Sequence, residues 1–234
     1  MTIKPILFVT LAMIWTASTH PGGALAQDST TSRDWQTEFN ISQRAFTATG
    51  ESAYFVLVPG YQLVLEGGGE RVTITVLDET REIIGITTRV VEERSEEGGE
   101  LTELARNFFA MDQATGDVFY FGEDVDIYEG GRLTSHEGSW LAGRDGDPGL
   151  MMSGAPAMGM KYYQEVAPGV AQDRAEVTST SETVTTPAGV FENSVVTIES
   201  SGLDAAAMER KVFAPGIGLV ESDSLRLVSY GYIQ

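Results

Sequence analysis

Carboxylates crowd together at Glu123, Asp124 and Asp126, with Glu129 just behind and His136 a short stretch further on. Two carboxyl groups with separated proton affinities are the minimum for acid–base hydrolysis, and His136 would carry the proton beside them. A Ser/His/acid triad would also need His136, because His20 lies in an N-terminal segment expected to be removed. No Gly-x-Ser-x-Gly elbow accompanies it. The chain holds 34 acidic residues, so carboxylates become neighbours by chance, and a solvated hairpin end explains the same cluster.

Two metal readings follow from donor type. Asp124, Asp126 and Glu129, ahead of Gly130, resemble an oxygen-rich calcium loop lacking its third aspartate and terminal bidentate glutamate. Met151, Met152, Met158 and Met160 offer soft thioethers suited to Cu(I), with His136 as a further ligand. Methionine is also the usual filler of irregular apolar gaps. With no cysteine, thiol nucleophiles, Cys-ligated zinc and iron–sulfur clusters are excluded.

Aromatic residues gather at Phe108, Phe109, Phe119, Tyr120, Phe121, Trp140, Tyr162 and Tyr163. Facing inward they would form either a solid core or the wall of a cavity for a small apolar molecule. Trp140, Tyr162 and the four methionines are the candidate contacts for such a ligand.

Positioning these residues falls to β-structure. Val72, Ile74 and Val76 alternate with Arg71, Thr73 and Thr75, a half-buried strand. Turn pairs at Pro59-Gly60, Gly130-Gly131, Pro187-Ala188-Gly189 and Pro215-Gly216 cut similar runs, and residues 78–81 read as another turn. Residues 101–109 fit a helix face, yet the hairpin signal at 112–117 and the run at 118–121 favour a strand there. A short helical turn is expected at 205–210. Residues 141–161, rich in glycine and methionine, read as a long loop or a lid over a barrel mouth. The expectation is an all-β protein: an antiparallel meander curling into a half-barrel or barrel.

The chain opens with Lys4, an apolar run from Ile6 to Ala17, and Ala24-Leu25-Ala26 ahead of Gln27. That order predicts a signal peptide over 1–26, a polar leader over 27–45 and a single β domain over 46–234. A secreted or periplasmic location follows, with no stable membrane span after cleavage. The net charge of −19 repels nucleic-acid phosphates and anionic lipid, excluding both as partners. Gly216-Ile217-Gly218 lacks the third glycine of a phosphate cradle.

From Phe119 onward the chain resembles a set of secreted bacterial β-proteins for which no activity is known. The resemblance rests on Tyr120-Phe-Gly-Glu123, Gly138-Ser-Trp-Leu-Ala-Gly143, Tyr163-Gln-Glu165 and Ala214-Pro-Gly-Ile-Gly-Leu-Val220. It implies an antiparallel fold and a strand over 101–111, and transfers no catalytic residue. The reading is therefore an extracytoplasmic binding or accessory protein, with a carboxylate hydrolase and a calcium or copper module as alternatives.

Overall fold

The computed structural model describes residues 35–233; the expected signal peptide over 1–26 and the first part of the expected leader lie outside them. Among the described residues there is no α-helix, and none long and apolar enough to cross a membrane. Strands β1 (Phe46–Thr47), β2 (Glu51–Ser52) and β3 (Phe55–Val56) are short. The long arms follow: β4 (Tyr61–Gly67), β5 (Glu70–Ile83), β6 (Ile86–Glu97), β7 (Glu100–Asp112) and β8 (Val118–Glu129). Next are β9 (Arg132–Ser135), β10 (Trp140–Leu141), β11 (Asp147–Met152), β12 (Lys161–Tyr163) and β13 (Glu165–Val166). The chain ends with β14 (Asp173–Thr186), β15 (Gly189–Ser201), β16 (Met208–Ala214), β17 (Gly218–Ser222) and β18 (Leu225–Tyr232).

One antiparallel sheet runs β12-β14-β15-β16-β17-β18-β4-β5-β6-β7-β8-β11-β13. Its two end strands are chain neighbours separated only by Gln164. The stretch 161–166 therefore pairs with β14 through its first half and with β11 through its second. This closes the sheet into a near-complete barrel, so both ends of the meander lose the open edge that invites misassociation. The seam is tight: a methyl group at Gly149 would stand 2.1 Å from the Gln164 carbonyl oxygen. Gly149→Ala is expected to destabilise the fold by about 3 kcal/mol, since the clash is with backbone. Chemical denaturation would read this, and an unchanged midpoint would show the seam to be loose.

The strand favoured for 101–109 is β7. Residues 78–81 make no turn: β5 continues to Ile83, and its pairing with β6 slips between Val76 and Thr80. Leu77, Asp78 and Glu79 form a bulge there, and the Arg89 guanidinium reaches the Leu77 carbonyl and the Asp78 carboxylate. The reversal falls at Ile84-Gly85, both at positive φ (46° and 78°). Residues 208–210 are strand rather than helix, paired with β15. Residues 141–161 are no lid. They carry β11, which fills the gap between β8 and β13, and Leu150, Met151 and Met152 are buried.

Residues 118–123 are buried on both faces. Inside, Tyr120 packs against Phe109 and Trp140. Outside, Phe39 and Phe46 lie edge-on to Phe119, and Arg44 pairs with Asp112 at 2.6 Å. From Trp35 onward the leader is thus packed on the barrel. Gln36 adds to β12 through the Lys161 carbonyl and the Tyr163 amide.

Candidate functional site

The barrel interior has two zones, and the register explains them. In β15 the inward phase reads Val195, Thr197, Glu199, Ser201; in β16 it reads Phe213, Lys211, Glu209, paired against it in that order. β6 and β7 repeat the pattern, with Glu93 opposite Ala105 and Ser95 opposite Glu103. Each strand carries apolar groups toward one end of the barrel and polar groups toward the other.

At the apolar end is a cavity of about 30 Å³, lined among others by Phe55, Tyr61, Leu63, Ile74, Val76 and Phe213. That volume holds about two water-sized spheres. The small β2–β3 hairpin, which pairs with no other strand, covers it. Four hydrogen bonds tie the hairpin to the barrel: the Ser52 hydroxyl to the Gly116 carbonyl at 2.7 Å, the Gly216 amide to the Ala53 carbonyl, the Tyr54 hydroxyl to the Asn193 carbonyl at 3.3 Å, and the Tyr232 hydroxyl to Glu51 at 3.2 Å.

At the polar end stand Glu93 and Glu103 from β6 and β7, Glu123 from β8, Glu165 from β13, Asp173 from β14, and Glu199 and Glu209 from β15 and β16. Lys211, only 2% exposed, lies among them, 2.5 Å from Glu199 and 3.3 Å from Glu209. Gln164 donates to Glu199 Oε1 at 3.0 Å, and Tyr120 donates to Asn107 at 2.5 Å. Burial raises the carboxyl groups of Glu103 and Asp173 to about 7. It also lifts Glu93, helped by the Glu103 charge, and Glu165, helped by Asp173 and Glu123. Lys211 behaves oppositely: burial alone would lower it, but the Glu199 and Glu209 charges hold it above its usual range. A second cavity, about 10 Å³, is lined by Tyr120, Met151, Gln164, Glu165, Asp173 and Glu199. Glu165 Oε2 accepts from the Asp173 amide and the Trp140 indole also hydrogen-bonds the Glu165 carboxyl group, whereas buried Tyr162 Oη has no hydrogen-bond partner.

The residues singled out from the sequence are scattered by this arrangement. Glu123 points inside and is 1% exposed. Asp124 is outside, paired with Arg81 at 2.6 Å, and Asp126 meets His136 Nδ1 at 2.8 Å on the surface. Glu129 is exposed at the hairpin end. The acid–base set is therefore split by the strand alternation between interior and solvent. The same alternation separates Asp124 and Asp126 from Glu129, and among the described residues no metal-ligating cluster forms. The methionines do not converge either: Met151 Sδ faces Gln164, Met158 is 75% exposed, and Met160 Sδ accepts from the Ala157 amide. Trp140, Tyr162 and Met151 do reach the interior, beside the polar zone.

The sequence reading missed Glu93, Glu103, Glu165, Asp173, Glu199, Glu209 and Lys211. The available signal was phase: Thr197, Glu199 and Ser201 continue the parity of buried Val195 while Ile198 takes the other. Comparison of the chain with protein-family models, with curated proteins and with solved structures returns no match.

Proposed function

We propose that this chain is an extracytoplasmic, non-enzymatic binding protein that takes the apolar part of a small molecule beneath the β2–β3 hairpin. The observation that carries this reading is the apolar cavity at one barrel end, capped by a hairpin that belongs to no other sheet. Pockets of this kind sit in the mouths of β-barrels and are lined mostly by hydrophobic side chains. As it stands the cavity is too small for such a group, so the hairpin lifts on binding and its four tethers are exchanged for ligand contacts. Hydrolysis is the weaker reading, because the surface pair His136 and Asp126 stands apart from buried Glu123. The resemblance to secreted β-proteins agrees with this placement.

A neutral dye that fluoresces in apolar surroundings tests the site. Phe55→Ala enlarges the cavity and is expected to tighten dye binding about tenfold, whereas Leu63→Phe fills it and weakens binding by a similar factor. Both variants must first be shown folded, since Phe→Ala in a core costs about 3–5 kcal/mol. No dye binding by the wild-type chain, or equal binding by both variants, removes the proposal.

A further inference from the structure

On the footing of the cavity reading above, we infer that the molecule taken up there carries a quaternary ammonium head, held at the barrel mouth by Tyr230, Tyr232 and Glu51. Residues directly opposite one another in an antiparallel pair present their side chains on the same face. Tyr230 stands opposite Leu63 and Tyr232 opposite Tyr61, and both Leu63 and Tyr61 line the apolar cavity. The two tyrosines of β18 therefore share the inward face, yet they are 46% and 55% exposed. β17 leaves them uncovered, since its pairing with β18 stops at Glu221 opposite Arg226. The Tyr61 and Tyr232 rings meet with centroids 5.3 Å apart, and Phe191 lies edge-on to Tyr230 at 6.0 Å. An aromatic wall thus runs from the cavity lining out to solvent.

Two features of this wall select a cation. Tyrosine ring faces attract positive charge through their quadrupole, and aromatic surfaces of this kind suit quaternary ammonium groups. A primary ammonium is a compact, strongly hydrated point charge and suits them less. The second feature is Glu51, which accepts from the Tyr232 hydroxyl at 3.2 Å and, among the described residues, forms no ion pair. The Tyr61 hydroxyl feels the whole group: burial makes it harder to ionise, and Tyr230, Tyr232 and Glu51 add to that. An anionic head would face the carboxylate with no counter-charge. A neutral sugar could stack on the rings but would leave the carboxylate unanswered. The Tyr232–Glu51 bond is also one of the hairpin's tethers. A cationic head takes the hydroxyl's place beside Glu51 as the hairpin lifts, so seating the head and admitting the chain are one event.

The test displaces the neutral apolar dye from the full chain with three amphiphiles of equal chain length, in high salt to screen the general negative field. Their heads are trimethylammonium, its neutral tert-butyl isostere, and sulfate. Trimethylammonium is expected to compete about tenfold better than the isostere, and sulfate worse than either. The ratio of the first two is read within each variant, so changes in the cavity itself cancel. Tyr230→Leu combined with Tyr232→Leu should bring that ratio to about one, and Glu51→Gln should lower it several-fold. Tyr232→Phe keeps the ring and should hold it. Glu129→Gln, an exposed carboxylate on the β8–β9 hairpin, should leave it unchanged. Equal displacement by the cationic and neutral compounds overturns the charged head and leaves the cavity reading standing. A dye that never binds removes the cavity reading and the head with it. A cation preference that survives the double leucine variant, or that falls equally in Glu129→Gln, overturns this mouth as the site.

Discussion

Lys211→Met is expected to destabilise the protein by about 3–5 kcal/mol at pH 8, the usual consequence of removing one member of a buried ion pair. Lys211 Nζ lies 2.5 Å from Glu199 and 3.3 Å from Glu209, and the lysine is almost wholly enclosed. Methionine keeps the aliphatic stem and its packing, so the loss reports the ammonium rather than a cavity. The carboxylates left behind must then lose their charge by taking up protons. That is easier in acid, so the destabilisation should shrink toward pH 5. Urea unfolding at both pH values reads the difference. The double variant Lys211→Met with Glu199→Gln should regain much of the stability, because the second change removes the stranded charge. If the single variant matched wild type at pH 8, Lys211 would not be the counter-charge of this interior.

The strands were legible where local pattern and tertiary role agree. Val72, Ile74 and Val76 alternate because the outer face of β5 meets water, and their parity is the buried one in the fold. The strand at 100–112 could be inferred because the Asp112 carbonyl and carboxylate close a tight turn onto Gly116 and Ala114, a role aspartate announces in sequence. Other elements were hidden for physical reasons. Asp78 and Glu79 look like part of a turn and lie in a bulge, whereas the true turn contains Ile84, a β-branched residue that avoids positive φ. The glycines between 141 and 161 suggested slack, yet Gly146 and Gly149 are there because backbone passes within 2.1 Å of where a side chain would begin. The candidate site was harder still. Charged residues are read as solvent-facing, and although Glu199 shares the parity of Val195, parity within 195–201 does not say which face is the interior one. That face becomes interior only when 161–166 joins both ends of the sheet, a contact invisible to any window of sequence. Glu123 was selected for its neighbours Asp124 and Asp126, and it is the one of the three that the fold takes inside.

Stability is expected to fall as pH rises from about 5 to 8, the reverse of an ordinary acid-labile protein, with the melting temperature dropping by about 10 °C. The sign follows from the interior carboxyls. Burial lifts Glu103 from its ordinary 4.5 to about 7, and Asp173 from 3.8 to about 7. The folded chain therefore binds more protons than the unfolded one over this window. Stability is complete below the unfolded values near 4 and is lost as pH climbs through about 7. Glu103 alone contributes on the order of 3 kcal/mol of that loss. Glu93, Glu123, Glu165 and Glu209, raised by the same burial, push in the same direction, while Lys211 keeps its charge throughout and contributes no slope. The net charge of −19 also grows more repulsive with pH, and salt separates the two causes. Surface repulsion is screened over about 10 Å at moderate ionic strength, whereas carboxyls that are partly or wholly buried are screened much less. The slope should therefore persist in high salt and flatten in Glu103→Gln, whose amide has no proton to lose. A profile that is flat, or that rises between pH 5 and 8, would mean that these groups are ionised and solvated in the folded chain. The polar end of the barrel would then be open to water rather than sealed.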